Sequence, residues 1–229
     1  MSEYRVLDLF AGLGGFSSAF EDSERWDVTT VDIEAEFDPD IVADVFDLRP
    51  SDFEGDFDVV LASPPCTQFS FAASSLERFV NGEPQTGEAC DAVALVYHAI
   101  GVIRGLSPTY WFMENPRGWL RQVIGDPNTT VTYCQYGTDY MKPTDIWGEH
   151  PLTFEARRCA TGDGCHTHNT DQAHGGKGNM ESNDAYSNDS AERSLVPYEL
   201  SASIRDACEA ALDGDAPVQT SVVGEEWSE

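Results

Sequence analysis

The chain reads as an α/β protein built on a doubly wound, mostly parallel sheet. Three observations predict this. Short apolar runs recur along the first two thirds of the chain and alternate with helix-like stretches, the signature of βαβ units. A glycine-rich turn, Gly12-Leu13-Gly14-Gly15, joins the first run to the first helix-like stretch. Polar residues that could carry chemistry (Asp32, Asp44, Cys66, Glu114) each close one of the runs, and the strand ends of such a sheet line one crevice.

The elements follow in order. Val6 to Phe10 is the first strand, and Ser17 to Phe20 is helix-like. Val28-Thr29-Thr30-Val31 is β-branched and ends at Asp32; Ile41-Val42-Ala43 ends at Asp44. Asp58 to Ala62 runs into Pro64-Pro65-Cys66, where two prolines fix φ and remove two backbone donors, so the strand stops there. Val93, Val96, Ile100 and Ile103 are spaced for a helix over about Glu88 to Gly105. Thr109 to Met113 is a fifth strand ending at Glu114-Asn115-Pro116, and Thr129 to Tyr133 is a sixth. From Glu155 to Arg193 the chain is rich in Gly, Asn, Asp, Ser and His without an apolar period, an irregular segment. Pro197 to Leu212 is a closing helix with Leu200, Ile204, Ala207 and Leu212 on one face. The expected division is therefore a catalytic domain over 1–150, an irregular segment over 151–194, a returning helix over 195–213 and an acidic tail over 214–229.

Charge is the other strong signal. There are 41 acidic against 13 basic residues, a formal net charge of -28, while 41% of residues are hydrophobic. An acidic disordered chain would lack that apolar content, so a folded core lies under an acidic surface. Only Lys142 and Lys177 are lysines. Acids spread along a lysine-poor chain fit the salt-rich cytoplasm of a halophile, or of a cell infected by one of its viruses, where salt screens self-repulsion. Met1-Ser2-Glu3 leads directly toward a strand, so no leader is expected, nor any apolar stretch of membrane-spanning length. The six cysteines are too sparse for a disulfide framework and are expected to be reduced.

Chemistry can be read at two places. The glycine turn lets backbone approach a ligand, Asp32 is placed to accept from ribose hydroxyls, and Asp44 could accept from an adenine amine. For each Asp the alternative is a strand-end cap. No Gly-Lys-Ser/Thr follows the glycines, which argues against nucleoside-triphosphate chemistry. At the second place, a Cys66 thiolate and a protonated Glu114 suit covalent attack on an electron-poor ring. Burial and surrounding acids should hold the proton on Glu114, whereas the thiolate needs local donors, Arg117 being one candidate. Taken alone, Cys66 could equally be a small apolar filler in a loop.

Asp8-Leu9-Phe10-Ala11-Gly12-Leu13-Gly14-Gly15-Phe16, then Pro65-Cys66 with Gln68, Phe69 and Ser70, then Glu114-Asn115, resemble in order and spacing the motifs of the C5-cytosine DNA methyltransferases. The resemblance covers about residues 4 to 147. It implies a Rossmann-like class I methyltransferase fold, S-adenosylmethionine as methyl donor, and double-stranded DNA with its target base flipped out. It places Asp8, Phe10, Ala11, Gly12, Gly14, Gly15, Asp32, Ile33, Asp44, Val45 and Pro64 around the cofactor. Cys66 would attack C6 of cytosine beside Pro65, Glu114 would contact N3 and the exocyclic amine, and Asn115 would brace the nucleophile loop. Gln68, Ser70, Arg117, Gln135, Lys142, Arg157 and Arg158 are candidates for the nucleic acid.

Three departures stand out. Thr67 sits where the family has Gln, Pro116 replaces Val, and the family's Gln-x-Arg-x-Arg is missing, with Gln135 and Lys142 as stand-ins. The chain is also short, like compact viral or phage members, so target recognition would fall to residues between Glu155 and Arg193. RNA or a free nucleotide as substrate, or a silent binding module, are the alternatives; neither a membrane nor an obligate protein partner is expected. Arg117, Arg121, Lys142, Arg157, Arg158 and Arg193 are expected to form one positive strip beside the cleft. The irregular segment also carries Cys159, Cys165, His166 and His168, a candidate zinc set of nonstandard spacing that Cys134 could join. Free thiols and loop histidines are the alternative.

Overall fold

A computed structural model describes residues 3–70, 78–160, 163–166, 168–169 and 195–214. The main sheet is formed by β1 (Tyr4–Leu9), β2 (Trp26–Asp32), β3 (Ile41–Val42), β4 (Val59–Ala62), β7 (Tyr110–Pro116), β8 (Thr129–Thr132) and β10 (Pro143–Glu149). Their spatial order is β3-β2-β1-β4-β7-β10-β8. The first five run parallel, and β10 lies antiparallel between β7 and β8. Two short pairs, β5 (Phe79–Val80) with β6 (Glu83–Pro84) and β9 (Tyr140–Met141) with β11 (His168–Asn169), lie outside it. This is the mostly parallel, Rossmann-like sheet expected of a class I methyltransferase, with the strand order reversing between β1 and β4, where doubly wound sheets bind ligands.

Alternation along the strands makes the sheet two-sided. Leu7, Leu9, Val60, Ala62, Trp111 and Met113 face one layer, which includes Ala89, Val96, Ala99, Val102 and Ile103 of α2 (Gly87–Leu106). Val6, Val59, Leu61, Tyr110 and Phe112 face the other, with Phe20 of α1 (Ser18–Glu21) and Leu200, Ile204, Cys208 and Ala211 of α4 (Tyr198–Leu212). Successive side chains point to opposite faces of a strand, so a strand apolar at every position needs helices on both sides. Each fully buried aliphatic or aromatic side chain contributes roughly 1.5–3 kcal/mol. The Ser201 hydroxyl clamps α4 to α1, donating to the Phe16 carbonyl at 2.7 Å and accepting from the Ala19 amide at 3.1 Å.

Three findings differ from the expectations. Helix α2 is, by length and composition, apolar enough to cross a membrane, with a mean hydropathy of 1.4. That apolarity serves the core: one face packs on the sheet, Thr86 caps its start and Ser107 ends it at φ 53°. Strand β7 does not stop at Met113 but continues through Glu114 and Asn115 to Pro116, because β10 pairs with that extension (Ile146 opposite Glu114, Asp145 opposite Asn115). β10 itself was not foreseen. A buried aspartate interrupts its apolar pattern; Asp145 is tolerated because Arg121, on α3 (Leu120–Ile124), grips both carboxylate oxygens and Thr130 donates to one at 2.8 Å.

Candidate active site

The cofactor-side residues gather at the carboxyl ends of β1, β2 and β3. Phe10, Gly12 and Gly14 adopt φ of 66°, 53° and 76°, so the loop after β1 turns through left-handed backbone, where glycine is unstrained. A Cβ on Gly12 would meet nothing within 4 Å, leaving open space where a ligand can approach the backbone. The Gly12 amide donates to Asp32 Oδ2 at 2.8 Å, and Asp32 Oδ1 accepts from the Glu34 amide at 2.9 Å. Each oxygen keeps a second lone pair for a hydroxyl. Ile33, next along, is 59% exposed, an apolar face beside that carboxylate. Ala11 and Val45 are buried, and Ala11 ties to β2 through the Val31 carbonyl at 2.9 Å. Asp44 Oδ1 accepts from the Phe46 amide at 2.9 Å, so it does cap the turn after β3. Gly15 departs from the expected role. A Cβ there would lie 2.6 Å from Leu195 Cδ1 and 2.8 Å from the Val196 carbonyl, so its smallness admits the segment leading into α4.

Beneath the glycine loop, Asp8 is fully buried and neither carboxylate oxygen has a well-formed hydrogen-bond partner. Burial pushes its pKa up to about 7. A buried acid below an open glycine turn, weakly satisfied by Ser17 alone, with an aspartate and an exposed isoleucine at the next strand end, fits a cationic, adenosine-bearing group such as S-adenosylmethionine.

The candidate reactive pair sits on the two strands beyond. β4 and β7 are adjacent, with Ala62 opposite Met113, so the loop bearing Cys66 and the residue after Met113, Glu114, emerge side by side. The loop is held by backbone and by neighbours. Asn115 Nδ2 donates to the Pro64 carbonyl at 2.9 Å, and the Cys66 carbonyl accepts from the Phe69 and Ser70 amides at 3.0 and 2.9 Å. The Trp119 amide donates to the Phe69 carbonyl at 2.8 Å, Ser70 bridges to Gly118, and Arg78 donates to the Thr67 carbonyl. Asn115 thus ties the Cys66 loop to β7. Pro65 is exposed, and Cys66 and Gln68 are half-buried.

Gly118 is critical to this arrangement, since a Cβ there would fall 2.2 Å from the Phe69 carbonyl oxygen. Gly118→Ala is expected to push the nucleophile loop off β7 and lower kcat at least 10-fold, about 1.4 kcal/mol of barrier. Steady-state kinetics beside a melting curve checks this; unchanged kcat in a folded variant would contradict it.

Glu114 is 4% exposed, and burial raises its pKa; the Lys142 charge and a hydrogen bond from Tyr133 oppose that rise. Tyr133 Oη donates to Glu114 Oε1 at 2.9 Å, and Lys142 Nζ lies 4.5 Å from the centre of the Tyr133 ring. Lys142 therefore stands near the acid. Tyr133 was missed: it closes the sixth apolar run and carries no motif.

Other candidates are engaged elsewhere. Gln135 donates to Cys165 Sγ at 3.2 Å, away from Glu114's hydroxyl partner. Arg121 is committed to Asp145 and cannot belong to the expected positive strip, and Arg193 lies outside the described residues. Arg157 packs 4.2 Å over the Tyr136 ring and lies 4.0 Å from Glu199, while Arg158 donates to Thr130 and Thr129 on β8. Arg117 is exposed, with its amide on the Pro143 carbonyl.

A model of the C-5 cytosine-specific DNA methylase family matches residues 4–126, which span the glycine loop, the Cys66 loop and Glu114-Asn115. The chain belongs to this family. A probable DNA (cytosine-5)-methyltransferase of Frog virus 3 (isolate Goorha) is 31% identical over 170 residues, covering 70% of this chain and 77% of that protein. Type II methyltransferase M.HaeII of Haemophilus aegyptius is 31% identical over 151 residues, 59% of this chain and 44% of that one. This methylase thus spans less than half the length of the bacterial enzyme. Among solved structures, a putative DNA modification methyltransferase from an E. coli prophage aligns with a TM-score of 0.44 at 19% identity, over 63% of this chain and 46% of that one.

Proposed function

We propose that this methylase transfers a methyl group from S-adenosylmethionine to C5 of a flipped-out cytosine in double-stranded DNA, with Cys66 as nucleophile and Glu114 as acid. The observation that carries the reading is the juxtaposition of the Cys66 loop and Glu114 on adjacent strands, tied together by Asn115. Bound along the ends of β1 to β3 by Gly12, Gly14, Asp32 and Ile33, the cofactor supplies an electrophilic methyl group.

The chain's residues do the rest. The Cys66 thiolate forms a bond to C6, and the displaced ring electrons make C5 nucleophilic. Glu114, whose hold on its proton burial strengthens, donates at N3 and takes up the charge that develops there. Tyr133 holds Glu114 Oε1 so that the carboxyl is oriented before substrate arrives. Once C5 is methylated, its proton passes to water, N3 returns its proton to the Glu114 carboxylate, and the C6–S bond breaks with its electron pair leaving on the thiolate. Sequence recognition falls to the segment after residue 150, and the acidic surface fits work in concentrated salt, where repulsion of DNA is screened.

Tritium from labelled S-adenosylmethionine, in high KCl, is expected in double-stranded DNA as 5-methylcytosine. Transfer to RNA alone would move the substrate to RNA, and transfer to neither would sink the reading.

A further inference from the structure

Outside the active site, four side chains with metal-binding atoms converge: Cys134, Cys159, Cys165 and His166, whose donor atoms all lie within 4.8 Å of one another. They come from distant places. Cys134 is on the 3-10 turn Tyr133–Tyr136 after β8, Cys159 lies in an extended stretch beyond β10, and Cys165 and His166 follow in a bend. We infer that these four residues form a structural zinc site that fastens the segment after β10 to the turn carrying Tyr133.

Three of the four distances fit one tetrahedral ion, and the Cys134–Cys159 pair would have to open by about 0.7 Å to take it. Cys134 Sγ is 3.1 Å from Cys159 Sγ and 3.8 Å from Cys165 Sγ; His166 Nδ1 is 3.6 Å from Cys159 Sγ and 3.4 Å from Cys165 Sγ. Zinc bonds of about 2.3 Å to sulfur and 2.0 Å to nitrogen give tetrahedral edges of about 3.8 Å between sulfurs and about 3.6 Å between sulfur and nitrogen. A disulfide needs sulfurs about 2.05 Å apart, and all six cysteines are free. Three thiols and an imidazole also outnumber what one disulfide could use. Soft sulfur donors in a Cys3His set select zinc, and four protein ligands leave no open position, which makes the ion structural. Gln135 donates to Cys165 Sγ at 3.2 Å, the kind of outer hydrogen bond that orients a ligand.

The segment needs such a fastening. Arg157 and Arg158 are exposed, and the strand-like stretch meets β8 through the Thr132 amide to the Arg157 carbonyl at 3.1 Å and the Cys159 amide to Thr132 Oγ1 at 2.7 Å. Beyond it, His168 and Asn169 pair with Tyr140 and Met141. The ligand set differs from the sequence expectation in one respect. Cys134 joins, completing four ligands with His166; His168 lies on β11, and its side chain is outside the described residues. Because Cys134 follows Tyr133 directly, the ion also fixes the residue that holds Glu114.

The test is metal analysis of full-length protein purified without chelator, with no nucleic acid present, so that it stands apart from the methyltransferase reading. About one zinc per chain is expected. Cys165→Ser and His166→Ala, each at a chain position outside the core, should lose at least about nine tenths of that zinc and melt at least about 5 °C lower. Cys90→Ser, at an exposed cysteine remote from the cluster, should keep it. Less than about a tenth of an equivalent in fresh protein, with no thermal shift on adding zinc, would overturn the site. So would a Cys134–Cys159 disulfide found in protein prepared under reducing conditions, or unchanged zinc in both ligand variants. Zinc bound by a protein that methylates nothing would leave the site standing and remove the enzymatic reading instead.

Discussion

Replacing Cys66 with alanine is expected to abolish methyl transfer, a fall in kcat of at least about 10³-fold, while the melting temperature stays close to that of the parent protein. Removing a covalent nucleophile leaves only binding and orientation to act, and single-nucleophile deletions in other enzymes lose on the order of 10⁴- to 10⁶-fold. The fold should survive because backbone holds the loop. The Cys66 carbonyl, the Pro64 carbonyl bound by Asn115 and the Phe69 carbonyl bound by Trp119 are all untouched by truncating the half-buried thiol. The sharper readout uses DNA with 5-fluorocytosine at the target. Cys66 adds to C6 and the methyl group joins C5, but fluorine occupies the place of the proton whose removal would release the thiolate. The parent protein should form a denaturant-stable adduct with DNA, and Cys66→Ala none. An adduct that persists in the variant would assign the nucleophile elsewhere. The Arg78 guanidinium donates to the Thr67 carbonyl, on the residue after Cys66, in a protein whose net charge is -28.

The parts of this site that could be read from sequence are those where backbone and chemistry coincide. Apolar runs bounded by turn residues located β1, β2, β4 and β7; the glycine loop and Cys66 follow β1 and β4, and Glu114 and Asn115 lie at the end of β7. What escaped depends on partners distant in the chain. β10 hides because Asp145 breaks its pattern, and only the pairing with Arg121, 24 residues earlier, makes a buried aspartate tolerable there. That same pairing removes Arg121 from the residues that looked available to DNA. Gly15 resembles a cofactor glycine because it sits beside two that turn the loop, yet its own space is filled by residues 195 and 196. Cys134 is 25 residues from Cys159, so local spacing offers it only as a residue that could join the set and does not mark the two as ligands of one ion.

Tyr133 is the residue for which structure adds most, and it allows a prediction about pH whose sign is set by the geometry. Glu114 must be protonated to donate to the ring, so activity should fall as pH rises through its pKa. Burial raises that pKa; the Tyr133 hydroxyl and the Lys142 charge both favour the carboxylate and hold the rise in check. Tyr133→Phe removes one of these restraints. The alkaline limb of kcat/KM should therefore move to higher pH, even as the maximum falls about 10- to 100-fold from the loss of an orienting hydrogen bond worth about 1.5–3 kcal/mol. Lys142→Met should move the limb in the same direction. Glu114→Gln should lose at least about 10²-fold and show no such limb, since the amide does not titrate in this range. The folding side has the same sign: a carboxyl whose folded pKa is raised contributes stability that is fully present below its unfolded pKa and lost as pH rises through the folded one. Tyr133→Phe should thus enlarge the total loss of stability on the alkaline side and extend it to higher pH relative to the parent. A purely structural tyrosine would lower kcat without displacing the limb. A limb that stays in place, or moves to lower pH, would show that Tyr133 and Glu114 do not share a proton-holding function in the working enzyme.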